Sequence, residues 1–177
     1  MRRGYREAGL MRPEVMDWVG RMVENHQPEA PVLEVGALNV NGSIRDLFPQ
    51  EGYVGLDMRE GDGVDLVADI LGVNEELRGE FNTVVTTETL EHIEEPWRAL
   101  EMMYDALKPG GLFIGTWVFM FAIHEHPHDY WRVTPEGFYY VLQRAGFKDI
   151  EVEGQGGKSA TTPVGVFATA RKQSCQD

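Results

Sequence analysis

An α/β fold is what this sequence predicts: a doubly wound, mostly parallel seven-stranded sheet whose last strand runs antiparallel to the others. Three observations predict it. Short apolar or β-branched runs at 31–37, 53–57, 64–69, 81–87 and 112–118 alternate with capped or amphipathic segments, the order that builds a parallel sheet covered by helices. The first run passes straight into a glycine-punctuated turn (PVLEVGALNVNG, Pro31 to Gly42), and open α/β sheets gather their ligands at that carboxyl edge. The last two runs, 147–152 and 164–170, flank GQGGKSATTP, a connection without a helical pattern, so they pair antiparallel.

Each element has a local reason. Arg2, Arg3 and Arg6 come with little apolar surface, so residues 1–12 read as a flexible N-terminal segment or a flap over a ligand. Pro13 opens a helix whose Val15, Trp18, Val19, Met22 and Val23 form one stripe, and Asn25 to Pro28 stop it. Val32, Leu33 and Val35 suit a strand buried on both faces, and Ser43 is placed to cap a short helix, Ile44 to Phe48. Tyr53 to Asp57 and Val64 to Asp69 are strands that each end in an acid. A polar connection with a little helix, 71–80, leads to the β-branched strand FNTVVTT. Pro96 starts a helix with Trp97, Leu100, Met103 or Tyr104 and Leu107 facing inward, closed by Lys108-Pro109-Gly110-Gly111. The segment 119–133 is long and rich in aromatics and histidine, and such loops are commonly functional. Thr134 and Pro135 begin a last helix, which Gly146 ends.

Length and charge narrow the classes. A chain of 177 residues reads as one domain, 13–171, with a polar tail at 172–177. A formal charge of −13 argues against a nucleic-acid partner, which needs clustered Lys and Arg, and favours a small neutral or cationic one. The single cysteine, Cys175, closes no internal disulfide and suits a reducing, cytoplasmic setting. No run reaches the length of a membrane span, and no secretory signal opens the chain.

Four segments together resemble the class I S-adenosylmethionine-dependent methyltransferases, a Rossmann-like family, over nearly the whole chain: LEVGALNVNG, YVGLDM, VADI and VVTTETLEHIEEPWRALEMMYDALKPGGLFIGT. The resemblance implies S-adenosyl-L-methionine as cofactor, with Glu34 and Gly36 in the acidic and leading glycine positions of the first motif. It implies Asp57 on the ribose hydroxyls and Asp69 with Ile70 on the adenine, and it adds Asn39, Met58 and Thr87 as cofactor contacts. The chemistry agrees, because an ionised carboxylate is the natural acceptor for a diol and an acidic edge favours a cationic sulfonium. The chain departs from the family at Leu38 and Val40, where many members have further glycines.

Methyl transfer to a hydroxyl needs an aligned nucleophile and a base. His128, in HEHPHDYWR, is the first candidate for that base and His92 the second; a surface-loop histidine also has an ordinary structural reading. DYWR with TPEG resembles a segment of small methyltransferases linked to sugar and natural-product modification. There Tyr130 and Trp131 either wall an acceptor pocket or plug the loop onto the core. Glu88, Glu91 and His92 spell E-x-x-E-H, which resembles the divalent-metal constellation of quinone O-methyltransferases and small-RNA end methyltransferases. The same string opens a helix in relatives without a metal, so no metal is assigned. The expected activity is transfer of a methyl group to oxygen or nitrogen of a small-molecule acceptor. A non-catalytic cofactor-binding subunit and a nicotinamide-dependent oxidoreductase are the alternatives, the latter lacking G-x-G-x-x-G.

Overall fold

The computed structural model describes residues 11–72, 74–124, 128–159 and 161–174. Alternating β and α segments assemble as the sequence predicts. Helix α1 (Pro13–His26) precedes β1 (Val32–Val35), and β2 (Tyr53–Asp57), β3 (Leu66–Val67), α2 (Asn74–Leu77) and β4 (Phe81–Thr87) follow. After them come α3 (Pro96–Ala106), β5 (Leu107–Val118), α4 (Pro135–Ala145), β6 (Lys148–Gln155) and β7 (Gly165–Arg171). The seven strands lie in the order β3-β2-β1-β4-β5-β7-β6. All neighbouring pairs from β3 to β5 are parallel, and β7 runs antiparallel to both β5 and β6. The carboxyl ends of β1, β2 and β4 therefore share one edge, with the order reversing at β1/β4, where such sheets open a crevice.

Alternation along the strands divides the core between two faces. Leu112 and Ile114 of β5 pack with Trp18 and Val19 of α1, while Phe113 between them packs with Leu100 and Met103 of α3 and Phe138 of α4. Thr134 caps α4 by accepting the Gly137 N–H at 3.0 Å, and Gly146 ends it at φ +105°.

Four local expectations are corrected. The helix expected at 44–48 is a single 3-10 turn, Arg45–Leu47, because the Ser43 hydroxyl accepts the Arg45 N–H at once and no further turn follows. The third strand keeps only Leu66 and Val67, since the Asp65 carboxylate takes the Gly55 N–H and the Arg45 guanidinium in the place of regular pairing. Trp97 is 41% exposed rather than inward: the buried stripe of α3 is Pro96, Ala99, Leu100, Met103 and Ala106, and Trp97 instead meets Trp131 edge to face, centroids 5.5 Å apart. Strand β5 also begins at Leu107, earlier than the expected 112, through a register shift against β4.

Glu34 is turned into the sheet. The residue is 4% exposed, its carboxyl accepts the Tyr53 hydroxyl at 2.7 Å, and burial pushes its pKa from 4.5 to about 7. The folded chain thus holds this proton more tightly than the unfolded one. The stabilisation is full below pH 4.5 and is lost as pH rises to about 7. Denaturant unfolding of Glu34→Gln against the parent is expected to remove a slope of up to about 1.4 kcal/mol per pH unit in that window; parallel curves for the two chains would contradict it.

Candidate active site

The cofactor edge is built around Gly36. Its φ of +83° suits glycine, and a Cβ there would lie 2.1 Å from the Thr89 hydroxyl oxygen. The N–H groups of Gly36 and Ala37 both donate to the Leu56 carbonyl, fastening the end of β1 to β2. Asn39 then stitches the turn: its side-chain amide donates to Asp62 at 2.8 Å while its carbonyl oxygen accepts the Gly42 N–H at 3.0 Å. The glycine is thus demanded by backbone geometry and by Thr89.

Asp57 and Asp69 occupy neighbouring strand ends, with Val67 opposite Asp57 in register and the Ala68 N–H donating to the Asp57 carbonyl. The Asp57 carboxylate accepts the Arg59 N–H at 2.9 Å and, more weakly, the Leu38 N–H at 3.4 Å. Asp69 accepts the Leu71 N–H at 2.9 Å. A carboxylate has about four acceptor sites, so each acid keeps capacity for a diol or an amine. Met58 is 69% exposed beside Asp57, Ile70 is buried beneath Asp69, and Thr87 closes the edge at β4, its carbonyl accepting the Thr89 hydroxyl. The residues present fit a nucleoside cofactor. Glu34, expected among its contacts, is buried with its carboxyl on the Tyr53 hydroxyl.

A second cluster hangs from the ends of β4 and β5. Glu88 takes φ +48°, an uncommon conformation for a side-chain-bearing residue, and forms an ion pair with Arg12, whose guanidinium lies 5.3 Å from the Phe121 ring centre. The 3-10 turn Leu90–His92 buries Glu91 completely, and neither of its carboxyl oxygens has a hydrogen-bond partner among the described residues. Burial pushes its pKa up to about 8. His124 comes from the loop after β5, with Nε2 3.7 Å from a Glu91 oxygen and Nδ1 3.2 Å from Asp129. Asp129 is held by Arg132, which depresses its pKa to about 2, and it also accepts the His124 N–H at 2.7 Å. His92 packs edge to face on His124 at 4.9 Å, and its Nδ1 contacts the His128 carbonyl. One ligand atom each of Glu91, His92 and His124 lies within 4.8 Å of the others.

The described parts of the loop, 119–124 and 128–133, are therefore anchored. Val133 donates back to the Val118 carbonyl, Tyr130 donates its N–H to the Glu91 carbonyl and its hydroxyl to Glu94, and the Trp131 indole N–H reaches the Ile93 and Glu94 carbonyls. The plug reading of Tyr130 and Trp131 thus has direct support, while the two residues stay 42% and 38% exposed and retain surface for an acceptor. Of the sequence candidates, His128 presents an exposed ring 5.4 Å from that of Tyr130, and His92 lies within the Glu91 cluster. E-x-x-E-H splits, Glu88 pairing with Arg12 and Glu91 remaining with His92. Sequence reading missed His124 and Asp129: both stand in HEHPHD, but only the fold of the loop brings them under Glu91. Residues 125–127 lie outside the described residues.

A methyltransferase-domain family matches residues 6–152. The ubiquinone biosynthesis O-methyltransferase of Ruegeria pomeroyi is 27% identical over 92 residues, covering 42% of this chain and 37% of that protein, so the chain spans little over a third of that relative. Among solved structures, an S-adenosylmethionine-dependent methyltransferase of Thermotoga maritima superposes with a TM-score of 0.64 at 17% identity, covering 87% of each chain. The 1,6-didemethyltoxoflavin-N1-methyltransferase of Burkholderia thailandensis, solved with its substrate and S-adenosylhomocysteine, gives 0.69 at 18% identity, covering 91% of this chain and 80% of that one. No helix among the described residues is long and apolar enough to cross a membrane.

Loss of the Asp129 anchor should free the loop selectively. Arg132→Ala is expected to speed amide exchange at 119–124 about tenfold, the effect of removing one charged hydrogen bond, with β4 and β5 little changed. Unchanged exchange in the loop would show that Arg132 does not hold it.

Proposed function

The chain belongs to the class I S-adenosylmethionine-dependent methyltransferases, with S-adenosylmethionine as its cofactor, and from that premise we propose that it methylates an oxygen or nitrogen of a small-molecule acceptor, of sugar or natural-product type, in the cytoplasm. The observation that carries the acceptor reading is the loop over β4 and β5. It offers Met120, Phe121, Ile123, Tyr130 and Trp131 as exposed apolar surface beside a cluster of imidazoles and carboxyls. Apolar walls with a few convergent polar groups are the usual makeup of a small-ligand site, and a charge of −13 disfavours a polyanionic acceptor.

The roles divide along the sheet edge. Bound at Gly36, the cofactor supplies an electrophilic methyl group on a sulfonium. Asp57 accepts the ribose hydroxyls, Asp69 and Ile70 hold the adenine edge and face, and Met58 covers the ring. The Gly36 turn, stiffened by Asn39, and Thr87 border the methionine end. His128, exposed beside Tyr130, takes the proton of a hydroxyl acceptor, while the aromatic loop excludes water and aligns the nucleophile. His92, the other candidate base, is drawn into the Glu91 cluster and serves the acceptor side from there. A dinucleotide would need the same carboxylate edge, but family membership removes the oxidoreductase alternative.

Calorimetry of the chain with S-adenosylhomocysteine, NAD and NADP tests the cofactor half. Binding in the micromolar range, about −8 kcal/mol, is expected for the first alone, with Asp57→Ala weakening it at least about tenfold through loss of a charge-assisted hydrogen bond. Equal binding by the variant would overturn the assignment of Asp57. Labelled-methyl transfer to a panel of hydroxyl, amine, carbon and nucleic-acid acceptors tests the other half, and a product methylated at carbon or on nucleic acid would overturn it.

A further inference from the structure

We propose that Glu91, His92 and His124 bind one divalent first-row transition-metal ion, and that this ion clasps the loop after β5 to the turn after β4. The site goes beyond the cofactor and acceptor reading, since it can bind a metal with neither present.

Four observations point to it. Glu91 is fully buried and both its oxygens lack a hydrogen-bond partner among the described residues, an arrangement that leaves a costly polar group without compensation. Two imidazoles converge on it, with the three ligand atoms within 4.8 Å of one another. Ligands about 2.1 Å from a tetrahedral ion lie about 3.4 Å apart, and the Glu91 to His124 separation of 3.7 Å is already close to that. Finally, both rings are engaged from behind through Nδ1, His92 by the His128 carbonyl and His124 by the Ala122 carbonyl at 3.3 Å, with the Asp129 carboxylate 3.2 Å away. A carboxylate or carbonyl behind an imidazole fixes the tautomer that presents Nε2 and raises its basicity, the usual support of a metal-bound histidine. Arg132 holds Asp129 in that position through a two-point guanidinium contact.

The donor set selects the class of ion. Two imidazoles and one carboxylate suit Zn²⁺, Co²⁺ or Fe²⁺, whereas Mg²⁺ prefers an all-oxygen shell. Glu88, the first acid of E-x-x-E-H, is outside the set because it pairs with Arg12. With three protein ligands, the ion keeps a further position for water or an acceptor oxygen.

The test is titration of the full chain, without cofactor, with Co²⁺, Zn²⁺ and Mg²⁺, read by calorimetry and by the visible absorption of Co²⁺. One equivalent of Co²⁺ or Zn²⁺ is expected, with Mg²⁺ much weaker. Glu91→Gln and His124→Ala should each lower affinity more than about tenfold and Asp129→Asn about tenfold, the usual effect at a supporting carboxylate. His26→Ala and His128→Ala, which spare the three ligands, should bind as the parent does. S-adenosylhomocysteine binding by each variant reports that the fold and the cofactor half are intact, so failure of the metal site and failure of the methyltransferase reading are separable. Absence of Co²⁺ and Zn²⁺ binding, binding that survives both Glu91→Gln and His124→Ala, loss in His128→Ala, or Mg²⁺ binding as tight as Co²⁺ would overturn the proposal.

Discussion

The turn at Gly36 is the constraint on which the rest depends. Three strand ends meet there: β1 supplies the turn, β2 receives the Gly36 and Ala37 N–H groups on the Leu56 carbonyl, and the loop after β4 lays Thr89 against the glycine where a Cβ would stand. Because Thr89 is one residue beyond Glu88 and two before Glu91, the same contact fixes where the second cluster begins. A larger residue at 36 would therefore displace both halves of the site, the nucleoside edge through β2 and the acceptor loop through Thr89.

Beyond that turn, the acceptor side is held by charge rather than by apolar packing. The loop 119–133 leaves several large apolar side chains exposed, so its own burial does little to order it. What orders it is a relay: Arg132 grips Asp129, Asp129 holds His124, and the Tyr130 amide is tied to the Glu91 carbonyl. Each contact is local to the loop or reaches a single turn after β4. The loop can consequently respond to a ligand at Glu91 without disturbing the sheet, whose strands are buried in two separate clusters.

Much of this was legible in the sequence, for a physical reason. Strands at 53–57 and 81–87 were readable to the residue because β-branched runs bounded by turns have few other uses, and the helix-free GQGGKSATTP allowed only an antiparallel end to the sheet. Signals that depend on a partner were not readable. Trp97 fits an inward helical stripe, yet the helix rotates so that Ala99 and Ala106 face in and Trp97 meets Trp131 from a loop thirty-odd residues on. The third strand shortens because Asp65 is claimed by Arg45. His124 and His128 look alike in HEHPHD; only the path of the loop turns one ring towards Glu91 and leaves the other exposed.

The acids show why composition alone could not assign the site. Among the described residues neither Glu34 nor Glu91 pairs with a Lys or Arg, and both are buried, so desolvation outweighs every other influence and favours the protonated carboxyl. Asp129 is nearly as hidden, its side chain 2% exposed, yet the bidentate Arg132 guanidinium reverses the balance and keeps it ionised. Asp57 is partly covered and accepts backbone N–H groups that leave it room for further donors. A buried neutral carboxyl can be ionised by a cation that arrives, an ionised one can orient an imidazole, and a half-open one can accept a diol. Three kinds of work thus come from one functional group, and what separates them is the neighbour each acid was given.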